Sequence, residues 1–146
     1  MMRVLSVIAA IAVGATAVYA QSAAIGQRKE ILKSFGGAFK EPGQMMKGEI
    51  PFDLAKVQAS LKTIADGAPK LPALFPDDSK TGGETKALPA IWENKAEFNA
   101  IYAKLEADAK AAAVAIKDEA SFKTEWPKVG ANCGTCHKKF REAPKT

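Results

Sequence analysis

Histidine and cysteine are scarce in this chain, with one histidine and two cysteines in 146 residues. A structural zinc site takes four ligands, and this set falls short of one. Strand signatures are missing as well. No stretch alternates apolar and polar residues as a half-buried strand requires, which removes sheet-based folds from consideration. After the first twenty residues, no apolar run approaches the length needed to cross a bilayer. Charge of one sign is also in short supply. The 21 Lys and Arg against 16 Asp and Glu leave +5, scattered apart from Lys138, Lys139, Arg141 and Lys145. A nucleic-acid surface needs a concentrated basic face with aromatics, so no nucleic-acid partner is expected.

What is present divides into two unequal parts. Met1-Met2-Arg3 is a short positive start, Val4 to Val18 carries no charge, and Val18-Tyr19-Ala20 leads into Gln21 with small or permissive residues. This three-part pattern is that of a secretory signal peptide over residues 1–20. The alternative is an uncleaved anchor, since the apolar run approaches a spanning length. Its alanine content, its shortness and the cleavage-like site favour removal near Ala20/Gln21 and a periplasmic location. Residues 21–146 then form one domain, enough for a single packed core.

That domain reads as four helices. The first covers Ser22 to Phe39, with Ile25, Leu32, Phe35 and Phe39 at helical spacing, and Glu41-Pro42-Gly43 is its expected stop. The second has Asp53 as N-cap, an apolar row of Leu54, Val57, Leu61 and Ile64, and an end at Gly67. A long proline-rich connection follows, Pro69 to Trp92, of the kind that covers something or is functional. The third helix opens with Asn94 and Glu97 spaced as a capping box and carries Phe98, Ile101, Leu105, Ala109, Ala112 and Ile116. The fourth runs from Ser121 to Arg141 along Phe122, Trp126, Val129, Cys133, Cys136 and Phe140. Pro127 inside it implies a kink near Trp126 or a helix that begins there. The fold class is therefore all-α, an antiparallel four-helix bundle running up-down-up-down.

Cys133-Gly134-Thr135-Cys136-His137 carries the chemistry. C-x-x-C-H is the attachment sequence of a covalent haem c. On a helix, positions i and i+3 point to one side, so both thiols reach the vinyl groups along one porphyrin edge. His137 stands four after Cys133, on the same face, and can place an imidazole nitrogen on the iron. A thioredoxin-like C-x-x-C belongs beside a parallel sheet, and none is foreseen. A plain disulfide leaves both the histidine and the place in the core stripe unexplained. One haem c per chain is expected.

With the motif in the last helix, the chain resembles the class II cytochromes c, and most closely cytochrome c prime. The likeness extends to Gln27-Arg28-Lys29-Glu30-Ile31-Leu32-Lys33, Lys47-Gly48-Glu49, and Pro51-Phe52-Asp53. It continues through Leu71-Pro72-Ala73-Leu74-Phe75-Pro76, Pro89-Ala90-Ile91-Trp92 and Val129-Gly130-Ala131-Asn132-Cys133. It spans essentially the whole mature chain.

The resemblance implies more than the motif does. Low-spin members of the class carry a methionine in the first helix as sixth ligand, whereas the cytochrome c prime type has an apolar residue there. Leu32 stands at that position and cannot ligate, which implies a pentacoordinate, high-spin iron open to NO and CO. Met45 and Met46 lie thirteen and fourteen residues past Leu32, beyond Pro42-Gly43, and read as packing residues. Arg28, with Lys29 beside it, matches a residue that reaches a haem propionate. Glu84 and Thr85 match a region near the haem edge, and Arg141 matches a residue beside the proximal imidazole. Leu32 would be core and distal lid together. The implied role is electron transfer with periplasmic redox proteins and reversible binding of small diatomics, in a homodimer and without catalysis. One rival is a six-coordinate carrier of the same class. The other is a haem enzyme acting on NO or peroxide, which the commitment of the sole histidine to iron disfavours.

Overall fold

The structure, a computed structural model, describes residues 2–81 and 83–144, with side chains described from Ala23 onward. The side chains of the expected leader, and all of Met1, Gly82, Lys145 and Thr146, lie outside the described residues. Five α-helices follow in order: α1 Met2–Met46, α2 Leu54–Gly67, α3 Ala90–Glu93, α4 Lys95–Ala115 and α5 Glu119–Phe140. Three 3-10 turns, Ala68–Lys70, Pro72–Leu74 and Asp77–Lys80, lie between α2 and α3. The four long helices make the antiparallel bundle, with α2 packed on α1 and α4, and α4 packed on α5. Among the described residues the only strand-like pairing is an isolated bridge between Ala87 and Arg141.

Helix boundaries follow the local chemistry, with several departures from expectation. α1 does not begin at Ser22, because the helix is continuous from Met2. Nor does it stop at Pro42. Pro42 and Met45 are both buried, and that burial offsets the lost backbone bond. The stop is Gly48, whose φ of 72° is the left-handed residue that closes the end, with Gly48 N–H donating to Met45 O at 3.0 Å. α2 starts as expected, Asp53 accepting from the Lys56 amide at 3.1 Å. Gly67 is not a left-handed cap, since its φ is −88°. Its smallness serves packing: a Cβ there would lie 2.6 Å from Phe35 Cε1.

The capping box expected at Asn94 and Glu97 does not form. Asn94 turns back to donate to Ala90 O at 3.2 Å, and Glu97 pairs with Lys139. On α4 the core residue is Tyr102, 5% exposed, with Ile101 only partly covered. α5 begins before both Ser121 and Trp126, capped by Asp118, which exchanges bonds with Ser121. The helix passes through the exposed Pro127 and ends at Phe140, so Arg141 lies past its end.

The core is densest between α2, α4 and α5, where Val57, Leu61, Ile64, Ile116, Phe122 and Val129 are all fully buried. α1 and α5 meet mainly at one end. Phe39 and Trp126 rings lie 5.0 Å apart, and Phe39 Cε1 is 3.7 Å from where a Cβ on Gly130 would sit.

Candidate haem-binding site

From that closed end, α1 runs back toward Arg28 while α5 runs on toward His137, so the motif lies along the seam between them. The motif begins about two turns after Trp126 and ends about three turns after it. Cys133 is half-buried and Cys136 is 9% exposed, both thiols are free, and His137 stands exposed. All three lie on one continuous helix, where positions i, i+3 and i+4 are neighbours.

Just ahead of the motif, Asn132 is buried and donates to Asp108 Oδ2 on α4 at 2.7 Å. That contact fixes the register of α5 against α4 where the cysteines begin. Burial raises the Cys133 thiol, and it pushes Cys136 up to about 11 against a partly offsetting hydrogen bond with Tyr102. Both sulfurs are therefore neutral thiols at pH 7. Partial burial and the nearby Arg141 cation lower the pKa of His137, which keeps the imidazole neutral and its lone pair available.

Across the seam the α1 wall is apolar. Leu32 is 37% exposed, so the protein alone leaves it at the surface and outside the core assigned to it. Gly36 on α1 and Gly134 on α5 would each accept a Cβ with nothing within 4 Å. An uncovered leucine on α1 and an exposed imidazole on α5 leave apolar surface and a free nitrogen for a flat apolar group to take up.

The long connection caps one end of the seam. Arg28 is 2% exposed and donates to Leu74 O (3.2 Å), Ser79 Oγ (2.9 Å), Ser79 O (3.2 Å) and Thr85 Oγ1 (2.8 Å). Its guanidinium also lies 4.4 Å over the Phe75 ring. Every one of these acceptors is neutral, and burial lowers its pKa. Among the described residues Arg28 forms no ion pair, so its buried charge is a ready partner for an anionic substituent. Lys29 reaches Glu84 at 3.9 Å, an exposed pair of little energetic weight. Arg141 faces Ala87 across the bridge, held by Leu88 N–H to Phe140 O at 3.0 Å and Glu142 N–H to Lys86 O at 2.8 Å. Arg28, Lys29 and Arg141 thus come together with Glu84 and Thr85 at the Pro69–Trp92 connection.

Sequence reasoning missed Ser79, Tyr102 and the Asp108–Asn132 pair. Ser79 gives no periodic signal, because it is buried by a 3-10 turn in which its hydroxyl donates to Pro76 O. Tyr102 sits one position from Ile101, and only the helix rotation decides between them.

A metal cluster is a poor alternative, since among the described residues no three His, Cys, Asp or Glu side chains converge on an ion. The donor set fits a haem held by two thioethers and one imidazole. The family profile described as Cytochrome C' matches residues 23–141. The chain belongs to that family. It is 51% identical to a cytochrome c' of Rhodopseudomonas palustris over 140 residues, 96% of each chain. A cytochrome c-556 of Agrobacterium fabrum is 41% identical over 128 residues, 87% of this chain and 86% of that one. The solved cytochrome c' of Rhodopseudomonas palustris superposes with a TM-score of 0.81 at 57% identity, covering 84% of this chain and 98% of that one. Family membership makes this a haem c electron-transfer cytochrome with a four-helix bundle fold.

Proposed function

We propose that one haem is bound covalently through Cys133 and Cys136, with His137 as axial ligand, and that its other face is open under Leu32. The observation that carries this reading is a half-exposed leucine on α1 and an exposed imidazole on α5, two helices whose rings meet at Phe39 and Trp126. When bound, the haem supplies an iron that changes between ferric and ferrous and accepts one small ligand.

The chain's own residues set the terms. Cys133 and Cys136 anchor the macrocycle, His137 offers a neutral nitrogen, and Arg28 lies buried where a propionate can pair with it. Leu32 provides no lone pair and excludes water, which favours small neutral diatomics such as NO and CO. The sole histidine is committed to the iron, so binding and electron exchange are proposed without catalysis. The leader-like start supports export to the periplasm, where redox proteins would be the partners. A homodimer follows from the family likeness.

The six-coordinate rival needs Met45 or Met46 at the iron. Both lie past Phe39, which touches Trp126. His137 is eleven residues further along α5 in the opposite sense, about 16 Å of helix rise. The test is the ferrous optical spectrum of the native protein and of Leu32→Met. The expected result is a high-spin native spectrum that shifts on adding CO, with Leu32→Met moving toward low spin. A low-spin native spectrum that turns high-spin in Met45→Ala or Met46→Ala would establish the six-coordinate rival.

A further inference from the structure

Tyr102 stands in the apolar row of α4 between Phe98 and Leu105, buried like them but carrying a hydroxyl. Packing alone is served as well by phenylalanine, and a buried hydroxyl needs a partner. The register of α4 against α5 decides which partner it meets. At one end Glu97 pairs with Lys139, and the Phe98 and Phe140 rings lie 5.3 Å apart. At the other, Asn132 donates to Asp108 Oδ2 at 2.7 Å. Tyr102 is one turn on from Phe98, and Cys136 is one turn back from Phe140. Because the helices are antiparallel, the ring pair brings Tyr102 opposite Cys136. The Tyr102 ring is held edge-on against Phe98 with centroids 5.0 Å apart, and its hydroxyl donates to Cys136 Sγ.

Haem attachment changes what that sulfur can do. A thiol donates and accepts, whereas a sulfur joined to a vinyl carbon carries no hydrogen and only accepts. Tyr102 supplies a donor in the required sense in both states. Burial raises its pKa above the ordinary 10, so the phenol keeps its proton through the neutral range. Its O–H dipole then points its positive end at the sulfur, and so at the edge of the macrocycle. Among buried rings that dipole is weakly screened. A positive dipole end beside a centre that gains an electron favours the reduced state.

We propose that Tyr102 is a positioning residue for the haem: its hydroxyl donates to the sulfur of Cys136, fixes the orientation of that thioether and biases the iron toward the ferrous state. This rests on the haem reading above. The effect is one-sided, because of the two cysteines it is Cys136 that takes the hydrogen bond.

Tyr102→Phe keeps the ring and removes only the hydroxyl, so it is compared with native holoprotein by spectroelectrochemical titration. At the native midpoint potential the ferrous-to-ferric ratio of the variant should fall by about threefold. In the proton NMR spectrum of the ferric protein, the ring methyl on the pyrrole joined to Cys136 should shift further than the methyl on the pyrrole joined to Cys133. A tyrosine that only packs would move neither readout, since phenylalanine packs in its place. An unchanged or raised ratio would overturn the proposal, and so would equal shifts of the two methyls. In Cys136→Ala, with its single thioether at Cys133, adding Tyr102→Phe should leave the ratio unchanged. The same threefold fall there would show that the hydroxyl acts without the sulfur, against the proposal. If Cys136→Ala holds no haem, the ratio and the methyl shifts of Tyr102→Phe alone decide. Acid–acetone extraction separates the two readings. Haem released from the native chain would remove the haem reading and the proposal with it, whereas covalent haem with an unmoved ratio refutes the proposal alone.

Discussion

The two halves of this bundle are built to different standards of closure. Between α2, α4 and α5, Val57, Leu61, Ile64, Ile116 and Phe122 have no exposed surface, and the polypeptide alone completes the packing. Between α1 and α5, a leucine is left 37% exposed, the histidine stands in solvent and two glycines face open space. One side is finished by apolar contact within the chain. The other the polypeptide leaves open. A binding site in a helical bundle is thus visible as a place where the ordinary rule of burial is broken on two helices at once.

The contrast can be broken by substitution, beginning on the closed side. Leu61→Ala should destabilise apo and holo protein alike by about 2–5 kcal/mol, because it opens a cavity that no cofactor touches. Chemical denaturation of both forms checks this. Gly67→Ala comes next. With Phe35 Cε1 only 2.6 Å from the new Cβ, α1 and α2 must move apart, at a cost of about 1–3 kcal/mol.

The Asp108–Asn132 contact lies between the two regimes. Burial works to raise the Asp108 carboxyl, but hydrogen bonds from Lys104 and Asn132 outweigh it and hold it below its ordinary 3.8. A depressed carboxyl binds fewer protons folded than unfolded, so its contribution is present above the usual carboxylate range and lost as pH falls through it. Asp108→Asn should cost about 1 kcal/mol at pH 7, with the difference from native shrinking toward pH 3. Melting temperatures of the pair across that range decide it.

The smallest effect belongs to the open side. Leu32→Ala should change apo-protein stability by less than about 1 kcal/mol, because the side chain is already at the surface. In the holoprotein the same change should raise CO affinity by removing the distal side chain. A cost of several kcal/mol in the apo-protein would mean that Leu32 belongs to the closed core after all.

The bundle itself was legible because its signal is periodic. Phe122, Trp126, Val129, Cys136 and Phe140 were read from spacing and all are buried. The motif was legible because Cys133, Cys136 and His137 are local in sequence, so one helix brings them together without help from the fold. Boundaries were less so. Pro42 reads as a stop by propensity, yet its burial and that of Met45 carry the helix on to Met46. Asn94 and Glu97 have the spacing of a capping box, but stronger partners claim each of them. Leu32 sits in the apolar row of its helix, and sequence cannot distinguish a leucine facing the core from one facing a seam. The convergence of Arg28 with Ser79 and Thr85 depends on three turns of irregular backbone, which leave no periodic trace.

The central claim is that Cys133 and Cys136 bind haem covalently in the α1/α5 seam. Acid–acetone extraction of native protein and of Cys133→Ala/Cys136→Ala tests it most directly, with haem assayed in the organic phase and on the polypeptide. The account predicts that haem stays with the native chain and leaves the double variant. Haem extracted from the native chain, or retained by the variant, would contradict it.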